Sequence, residues 1–184
     1  MRSPDDAVIR PASAEDAEAI RAIYEPAVNG TFVTFEEVAP DTEEIVRRMR
    51  SRPRLPWLVA GTADGVVGYA RAIQHRVRPA YRWSAESSVY VAETHRGRGI
   101  GRRLYERLAT EVRDLGYVSM FSGVALPNAA SVALHERLGF RPIGVFPDVG
   151  YKLGAWHDVG WWVLPLRPRP PAEPPEPRAW ASEI

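Results

Sequence analysis

A short apolar strand, a glycine-rich turn and a long amphipathic helix follow one another in the middle of the sequence. Alternation predicts the strand over residues 87–92. Apolar side chains at helical spacing, from Ile100 to Leu115, predict the helix over residues 99–115, and Gly116 ends it. A strand that turns tightly into a long helix is typical of α/β proteins.

The rest of the chain extends this pattern. Helices are predicted from Ser13 to Gly30, with Asp16 completing a capping box, after Pro40 through Arg50, and from Asn128 to Leu138. The dipeptide Asp64-Gly65 predicts a hairpin between two strands. The segment 31–37 fits either a strand or an ordered loop. Further strands are predicted over residues 7–11, 57–62, 66–72, 117–125, 140–146 and 156–166. The predicted order is β-α-α-β-β-β-α-β-α-β-β, a mixed central sheet flanked by helices.

Composition narrows the possible functions. The 184 residues are 45% apolar, which suits one domain. We expect that domain to span residues 1–166, with a proline-rich, extended and poorly packed tail over 167–184. A net charge of +1 argues against a nucleic-acid partner. The absence of cysteine excludes thiolate chemistry. No signal segment or membrane span is recognisable, so we expect a cytoplasmic protein without a membrane partner. The four histidines show no metal-ligand spacing, and we expect no metal.

The turn itself is the run 96–101, Arg-Gly-Arg-Gly-Ile-Gly. Free backbone N–H groups and the positive end of a helix dipole meet there, which favours an anion such as pyrophosphate. A Walker loop would require Lys-Ser or Lys-Thr after Gly101, where Arg102 and Arg103 stand. A Rossmann fingerprint would require its third glycine one residue later than Gly101. A plain glycine turn remains the alternative on these residues alone.

Two motifs resemble the GNAT superfamily of N-acetyltransferases. One is Arg96-x-x-Gly99-x-Gly101 after the strand 89–91, and the other is the segment 128–140, Asn-Ala-Ala-Ser-Val-Ala-Leu-His-Glu-Arg-Leu-Gly-Phe. The resemblance implies the GNAT α/β fold and acetyl-CoA as cosubstrate, its pyrophosphate on the loop amides and its pantetheine arm along the strand. The residues implied in cosubstrate binding are Val89, Tyr90, Val91, Arg96, Gly97, Arg98, Gly99, Ile100, Gly101, Arg102 and Asn128.

Other segments resemble the phosphinothricin and methionine sulfoximine or sulfone N-acetyltransferases within that superfamily. These are the runs 86–91, 126–128, 134–136 and above all 150–161, Gly-Tyr-Lys-Leu-Gly-Ala-Trp-His-Asp-Val-Gly-Trp. The similarity extends from about residue 8 to residue 166. One departure is a longer segment over 71–82, with His75 and Arg76 where a Trp-Lys pair is expected.

Acetyl transfer to an amine requires a proton acceptor, because only the free base attacks a thioester. The resemblance assigns that role to Glu86 at the start of the central strand, with a backbone N–H near Val91 to stabilise the oxyanion. His135 stands where most GNAT enzymes have a tyrosine general acid; packing against the core is its alternative role. Tyr105 is a lesser candidate for the acid. Without cysteine, we expect direct attack in a ternary complex rather than a covalent acetyl-enzyme.

The acceptor is expected to be a small amino-acid analogue with a tetrahedral polar terminus. Three arginines precede Glu86 in the sequence and could hold the anionic oxygens of this acceptor: Arg76, Arg78 and Arg82. Such a run of charges is usually a solvated loop. The resemblance also implies a homodimer, for which Trp161, Trp162 and Trp180 offer apolar surface. Two other functions stay open: a protein N-terminal acetyltransferase, and a non-catalytic acyl-CoA-binding module.

Overall fold

The structure is a computed structural model that describes residues 7–63 and 65–181. Predictions that touch residues 1–6, Asp64 and residues 182–184 lie outside this range. Within it, the order of strands and α-helices agrees with the predicted order. The strands are β1 (Val8–Pro11), β2 (Trp57–Thr62), β3 (Gly65–Gln74), β4 (Ser84–Val91), β5 (Ser119–Leu126), β6 (Arg141–Lys152) and β7 (Ala155–Pro165). The helices are α1 (Ala17–Gly30), α2 (Thr42–Met49), α3 (Ile100–Asp114) and α4 (Ala129–Arg137).

These strands form one mixed sheet in the order β1-β2-β3-β4-β5-β7-β6. The pair β4–β5 is parallel, and the other neighbours are antiparallel. A core around Tyr24, Trp57 and Tyr69 joins α1 and α2 to one face of the sheet. A second core, around Leu104 and Met120, joins α3 and α4 to the other face. The expected mixed sheet flanked by helices is therefore confirmed.

Local capping sets the helix ends as the sequence indicates. The Asp16 carboxylate accepts the Ser13 backbone N–H at 2.8 Å, which completes the predicted capping box. Asp41 Oδ1 accepts the Glu44 N–H at 2.7 Å at the start of α2. Asn128 Oδ1 accepts the Ser131 N–H at 3.1 Å at the start of α4.

Two expected strand ends need correction, and one open question is resolved. Strand β3 continues to Gln74, two residues beyond the predicted end at residue 72, so the start of the segment 71–82 belongs to the sheet and Arg71 pairs with Ser88. Strand β6 continues to Lys152, well beyond the predicted residue 146, because a register shift between Phe146 and Gly150 lets it pass Pro147 and stay paired with β7. The open question over residues 31–37 is resolved as a loop without helix or strand.

The proline-rich tail forms no helix or strand over residues 167–181, and contacts near its described end anchor it to the domain. Trp180 is 6% exposed and lies in the core of the α3 side. Its backbone N–H donates to the Arg54 carbonyl at 2.9 Å, and its Nε1 donates to Glu111 at 3.3 Å. Most residues of 167–181 are exposed, as in a poorly packed tail, but the buried Trp180 indole and its partners anchor the segment to the domain.

Candidate active site

The parallel pair β4–β5 separates shortly after it begins. Its register covers only three residue pairs and ends at Glu86 opposite Phe121, after which β5 continues beside β7. The remaining part of β4 therefore has one edge without a strand. The Ala92 N–H donates to the Val67 carbonyl, so the backbone of Ala92 is directed toward β3. Successive residues of a strand direct their backbone groups to alternate sides, so those of Val89 and Val91 face the gap on the other side of β4.

The structure separates the three strand residues predicted to bind cosubstrate. Tyr90 lies opposite Tyr69, and its backbone is directed toward β3. Its ring stacks on Tyr69 at 5.4 Å between centroids. Val89 and Val91 therefore offer hydrogen-bonding groups to an extended ligand in the gap, and Tyr90 does not.

The glycine loop lies at the end of this gap. Gly97 and Gly99 both have φ of +77°, a conformation that favours glycine. The Arg103 N–H donates to the Gly99 carbonyl at 3.1 Å, so the N–H groups of residues 100–102 precede the bonded part of α3. Together with the helix dipole, these amides form the geometry that binds phosphate. A pyrophosphate fits here because neither φ-positive glycine has a neighbouring atom within 4 Å of the place where a Cβ would lie.

Three arginines among the other predicted cosubstrate residues lie on or next to this loop, whereas Asn128 caps α4. Arg96 Nε donates to the Val91 carbonyl at 3.2 Å and Arg98 Nη2 to the Thr94 carbonyl at 3.1 Å. Arg102 is exposed and pairs with Glu106 one turn further along α3. A Cβ at Gly101 would lie 3.5 Å from Leu134, so α4 closes on the start of α3.

On the opposite face of the sheet, Glu86 belongs to a polar cluster. Its Oε1 lies 2.8 Å from His75 Nδ1 and 2.6 Å from Arg76 Nη1. The His75 ring stacks on Phe121 at 4.5 Å, and the Arg76 guanidinium lies over the Trp161 ring at 5.6 Å. The sequence predicts Arg76 near Glu86, and the structure brings the two together. The sequence assigns no role to His75, which stands out there only as a difference from the resembled family. Its signal was a titratable side chain directly after β3, two residues beyond Ile73, which pairs with Glu86.

An apolar cavity of about 320 Å³ extends from this cluster. Its residues come from the loop after α1 and from β5, β6 and β7: Val33, Phe35, Gly123, Ala125, Phe146, Val149, Val159 and Trp161. Trp161 joins the cavity to the cluster, because its ring also contacts that of His75 at 6.1 Å. An acceptor with its amine beside Glu86 could place its side chain here.

The two other arginines predicted to bind substrate lie elsewhere. Arg82 stacks on Trp83 at 4.0 Å and forms ion pairs with Glu173 at 2.6 Å and Glu176 at 3.4 Å in the tail. Arg78 is exposed at the start of a short 3-10 helix over Pro79–Tyr81. Of the three, only Arg76 is brought to Glu86.

The two candidate general acids form a buried pair. Tyr105 and His135 are 1% and 2% exposed, and the Tyr105 hydroxyl lies 2.9 Å from His135 Nε2. His135 Nδ1 lies 2.7 Å from the Ser131 carbonyl, which can only accept, so Nδ1 carries the proton and Nε2 accepts from Tyr105. Burial lowers the pKa of His135 and raises that of Tyr105 to about 12. The site thus keeps both side chains neutral, with the Tyr105 proton directed to His135 and the His135 proton directed to the Ser131 carbonyl.

Neither Trp162 nor Trp180 is available as dimer surface, because both are 6% exposed in the core of one chain. Among residues 7–63 and 65–181, no helix is long and apolar enough to cross a membrane. The same residues contain no group of three or more His, Asp or Glu side chains placed to hold a metal ion.

The sheet that opens after Glu86, with an anion-binding helix start at one end and a carboxylate beside a cavity at the other, defines an α/β protein suited to group transfer. The sequence matches the family described as Acetyltransferase (GNAT) domain over residues 9–161. The chain therefore belongs to the GNAT acetyltransferase family, and the expected fold and enzyme class are confirmed.

Individual relatives support membership of this family. The chain is 39% identical to phosphinothricin N-acetyltransferase of Streptomyces viridochromogenes over 88% of this chain and 91% of the relative. It is 38% identical to the L-methionine sulfoximine/L-methionine sulfone acetyltransferase of Salmonella typhimurium, over 86% and 94% of the two chains. The crystal structure of a Sinorhizobium meliloti GNAT phosphinothricin acetyltransferase in complex with AcCoA superposes with a TM-score of 0.87, at 34% identity over 92% of this chain and 94% of that one.

Proposed function

We propose that the protein is an acetyl-CoA-dependent N-acetyltransferase that acetylates the amino group of a small amino-acid analogue such as phosphinothricin, methionine sulfoximine or methionine sulfone. The observation that carries this proposal is the continuous path from the glycine loop, along the gap beside β4, to Glu86 and the cavity. Relatives named for these substrates match most of the chain, which supports the acceptor class.

The amides of residues 99–102 would hold the pyrophosphate of acetyl-CoA, and Val89 and Val91 would pair with its pantetheine arm. This arrangement brings the acetyl thioester toward the point where β4 and β5 separate. The backbone N–H of Val91, directed into the gap, is our candidate donor to the oxyanion. No covalent acetyl-enzyme is required, because donor and acceptor reach the same point from opposite sides of the sheet.

Glu86 would accept the proton that the acceptor ammonium loses before or during attack. The free amine then forms a bond to the acetyl carbon, the tetrahedral intermediate loses the second ammonium proton to water, the C–S bond breaks, and the thiolate leaves. His75 and Arg76 both reach Glu86 Oε1, so they hold the carboxylate in place. Arg76 Nη1 is engaged by Glu86 and the His75 carbonyl, and we propose its other nitrogens as the donors to an acceptor oxygen.

We assign His135 and Tyr105 to packing rather than to acid catalysis. Donation to the thiolate would require a proton directed toward the gap, whereas Nδ1–H points to Ser131 and the tyrosine O–H to His135. The leaving thiolate would then take its proton from solvent.

We further propose that the protein is a cytoplasmic homodimer. Acetylation of phosphinothricin by this enzyme would confer resistance to that compound as a herbicide. The dimer surface would be the β6–β7 hairpin, whose large apolar side chains are about half exposed or more. These are Ile143, Val145, Phe146, Val149, Tyr151, Leu153 and Trp156. Light scattering at micromolar concentration is expected to give twice the chain mass; the monomer mass alone would refute the dimer.

The acceptor assignment is tested by thiol release from acetyl-CoA. Phosphinothricin and methionine sulfone are compared at equal acetyl-CoA with a polyamine and with a peptide that has a free N-terminus. We expect the amino-acid analogues to have the highest kcat/KM. A much higher value for the peptide or polyamine would reject the acceptor class, and no thiol release with any amine would indicate a non-catalytic binding module.

A further inference from the structure

Lys152, at the end of β6, is a buried cation. It is 6% exposed, and its ammonium donates to three backbone carbonyls, those of Val28 at 2.6 Å, Thr34 at 2.8 Å and Glu36 at 2.7 Å. All three of its protons are therefore used. Burial lowers the pKa of Lys152, and the charges of Glu37 and Glu36 act in the opposite direction. A cation placed here at the cost of desolvation must hold its acceptors in a defined arrangement.

The three carbonyls belong to the end of α1 and to the loop that follows it. This loop, residues 31–41, joins α1 to α2 without helix or strand of its own. Val33 and Phe35 in the same loop line the apolar cavity beside the Glu86 cluster. The Lys152 contacts at residues 34 and 36 thus lie next to the residues that form this wall of the cavity.

The β6–β7 hairpin holds the loop at two further points. A Cβ at Gly150 would lie 2.1 Å from the Phe35 ring, so only glycine lets that ring lie against β6. The His157 ring stacks on Phe32 with centroids 4.3 Å apart and planes within 8°, and its Nε2 lies 3.0 Å from the Lys152 carbonyl. The segment 150–161, distinctive in the sequence, here serves to fix the loop.

We propose that Lys152 is a positioning residue for the amine acceptor: by holding the α1–α2 loop, it fixes the Val33–Phe35 wall of the cavity and so sets the affinity and selectivity for the acceptor side chain. Lys152 itself touches neither substrate. The inference depends on the proposed function for the identity of the acceptor, but its structural part, the anchoring of the loop, does not.

The test compares Lys152→Met, which keeps most of the side-chain length and removes the three donors, with Arg141→Met. Arg141 is a cation on the same strand that is exposed to solvent, which makes it a matched control. For Lys152→Met we expect faster amide hydrogen exchange in residues 31–40 and a KM for methionine sulfone raised about tenfold, because a misplaced wall no longer orients the acceptor. The Kd of acetyl-CoA should remain within about twofold, since the glycine loop is on the other face. Arg141→Met should behave as the parent in all three measurements.

Unchanged exchange in residues 31–40 would show that Lys152 does not hold the loop. Faster exchange with an unchanged acceptor KM would show that the loop does not form the acceptor wall. If no amino-acid acceptor is turned over by the parent enzyme, the proposed function fails, while the exchange measurement still decides the anchoring. Should Lys152→Met not fold, Phe35→Ala must raise the acceptor KM with acetyl-CoA affinity retained, and an unchanged KM there would overturn the proposal.

Discussion

Replacing Tyr105 by phenylalanine separates the packing and catalytic roles of the buried Tyr105–His135 pair. The substitution removes one hydroxyl and keeps the ring, which packs edge-on against His135 and Phe140 at 5.1 and 5.7 Å. The lost hydroxyl is the donor to His135 Nε2 at 2.9 Å. The imidazole therefore keeps its Nδ1–H bond to Ser131 but has a buried acceptor without a donor.

An unsatisfied buried acceptor costs about 1–3 kcal/mol. Both side chains are almost fully buried, so solvent cannot replace the hydroxyl without entering the core. For a chain of this length, each kcal/mol corresponds to a change in Tm of roughly 2–4 °C. We therefore expect Tyr105→Phe to lower the unfolding free energy by about 1–3 kcal/mol and the Tm by roughly 2–12 °C.

Urea denaturation gives the stability, and thiol release at saturating substrates gives kcat for the variant below its Tm. The packing role predicts reduced stability with kcat within about threefold of the parent, because no transition-state contact is lost. A loss in kcat of about 100-fold or more with unchanged stability would refute this reasoning and return the pair to acid catalysis.

Four further outcomes are expected. Glu86→Gln should lower kcat about 100-fold with unchanged acetyl-CoA affinity; a kcat near the parent value would mean that another base or water serves. Gly99→Val should weaken acetyl-CoA binding roughly tenfold or more in calorimetric titration, because φ of +77° is strained for valine; equal affinity would remove the loop from the cosubstrate site. Trp180→Ala should reduce the unfolding free energy by about 3–5 kcal/mol, and a negligible change would show that the tail is not part of the core. Because burial lowers the pKa of His135 from 6.5, the unfolded chain takes up this proton first. The neutral imidazole therefore contributes fully to stability above about pH 6.5, and this contribution decreases at lower pH. His135→Gln should make the unfolding free energy depend less steeply on pH below about 6.5. The same dependence in parent and variant would contradict a buried neutral imidazole.

The parts of the fold that depend on neighbours in sequence could be predicted from the sequence. Capping by Ser13, Asp41 and Asn128 involves residues three positions apart, and the glycine conformations at 97 and 99 follow from the turn between β4 and α3. Glu86 at the start of the central strand was singled out by the resemblance to the family rather than by such local chemistry. Element order and the anion-binding loop were therefore accessible before the structure.

The features that the sequence could not give are contacts between distant segments. The Lys152 ammonium meets carbonyls more than 110 residues away, and Arg82 finds Glu173 in the tail, 91 residues away. A run of arginines carries no information about which of them turns toward Glu86 and which toward the tail. The burial of Trp180 likewise depends on a tail whose prolines indicate only an extended chain.

The central claim is transfer of an acetyl group from acetyl-CoA to the α-amine of a small amino-acid analogue. Its most direct test is mass spectrometry of reactions that contain [¹³C]acetyl-CoA and either methionine sulfone or, as the control with a blocked nitrogen, N-formyl methionine sulfone. The account predicts N-[¹³C]acetyl methionine sulfone that accumulates over many turnovers, and no product from the N-formyl compound. Label that remains on the protein, or free acetate formed at the same rate without an amine, would contradict it.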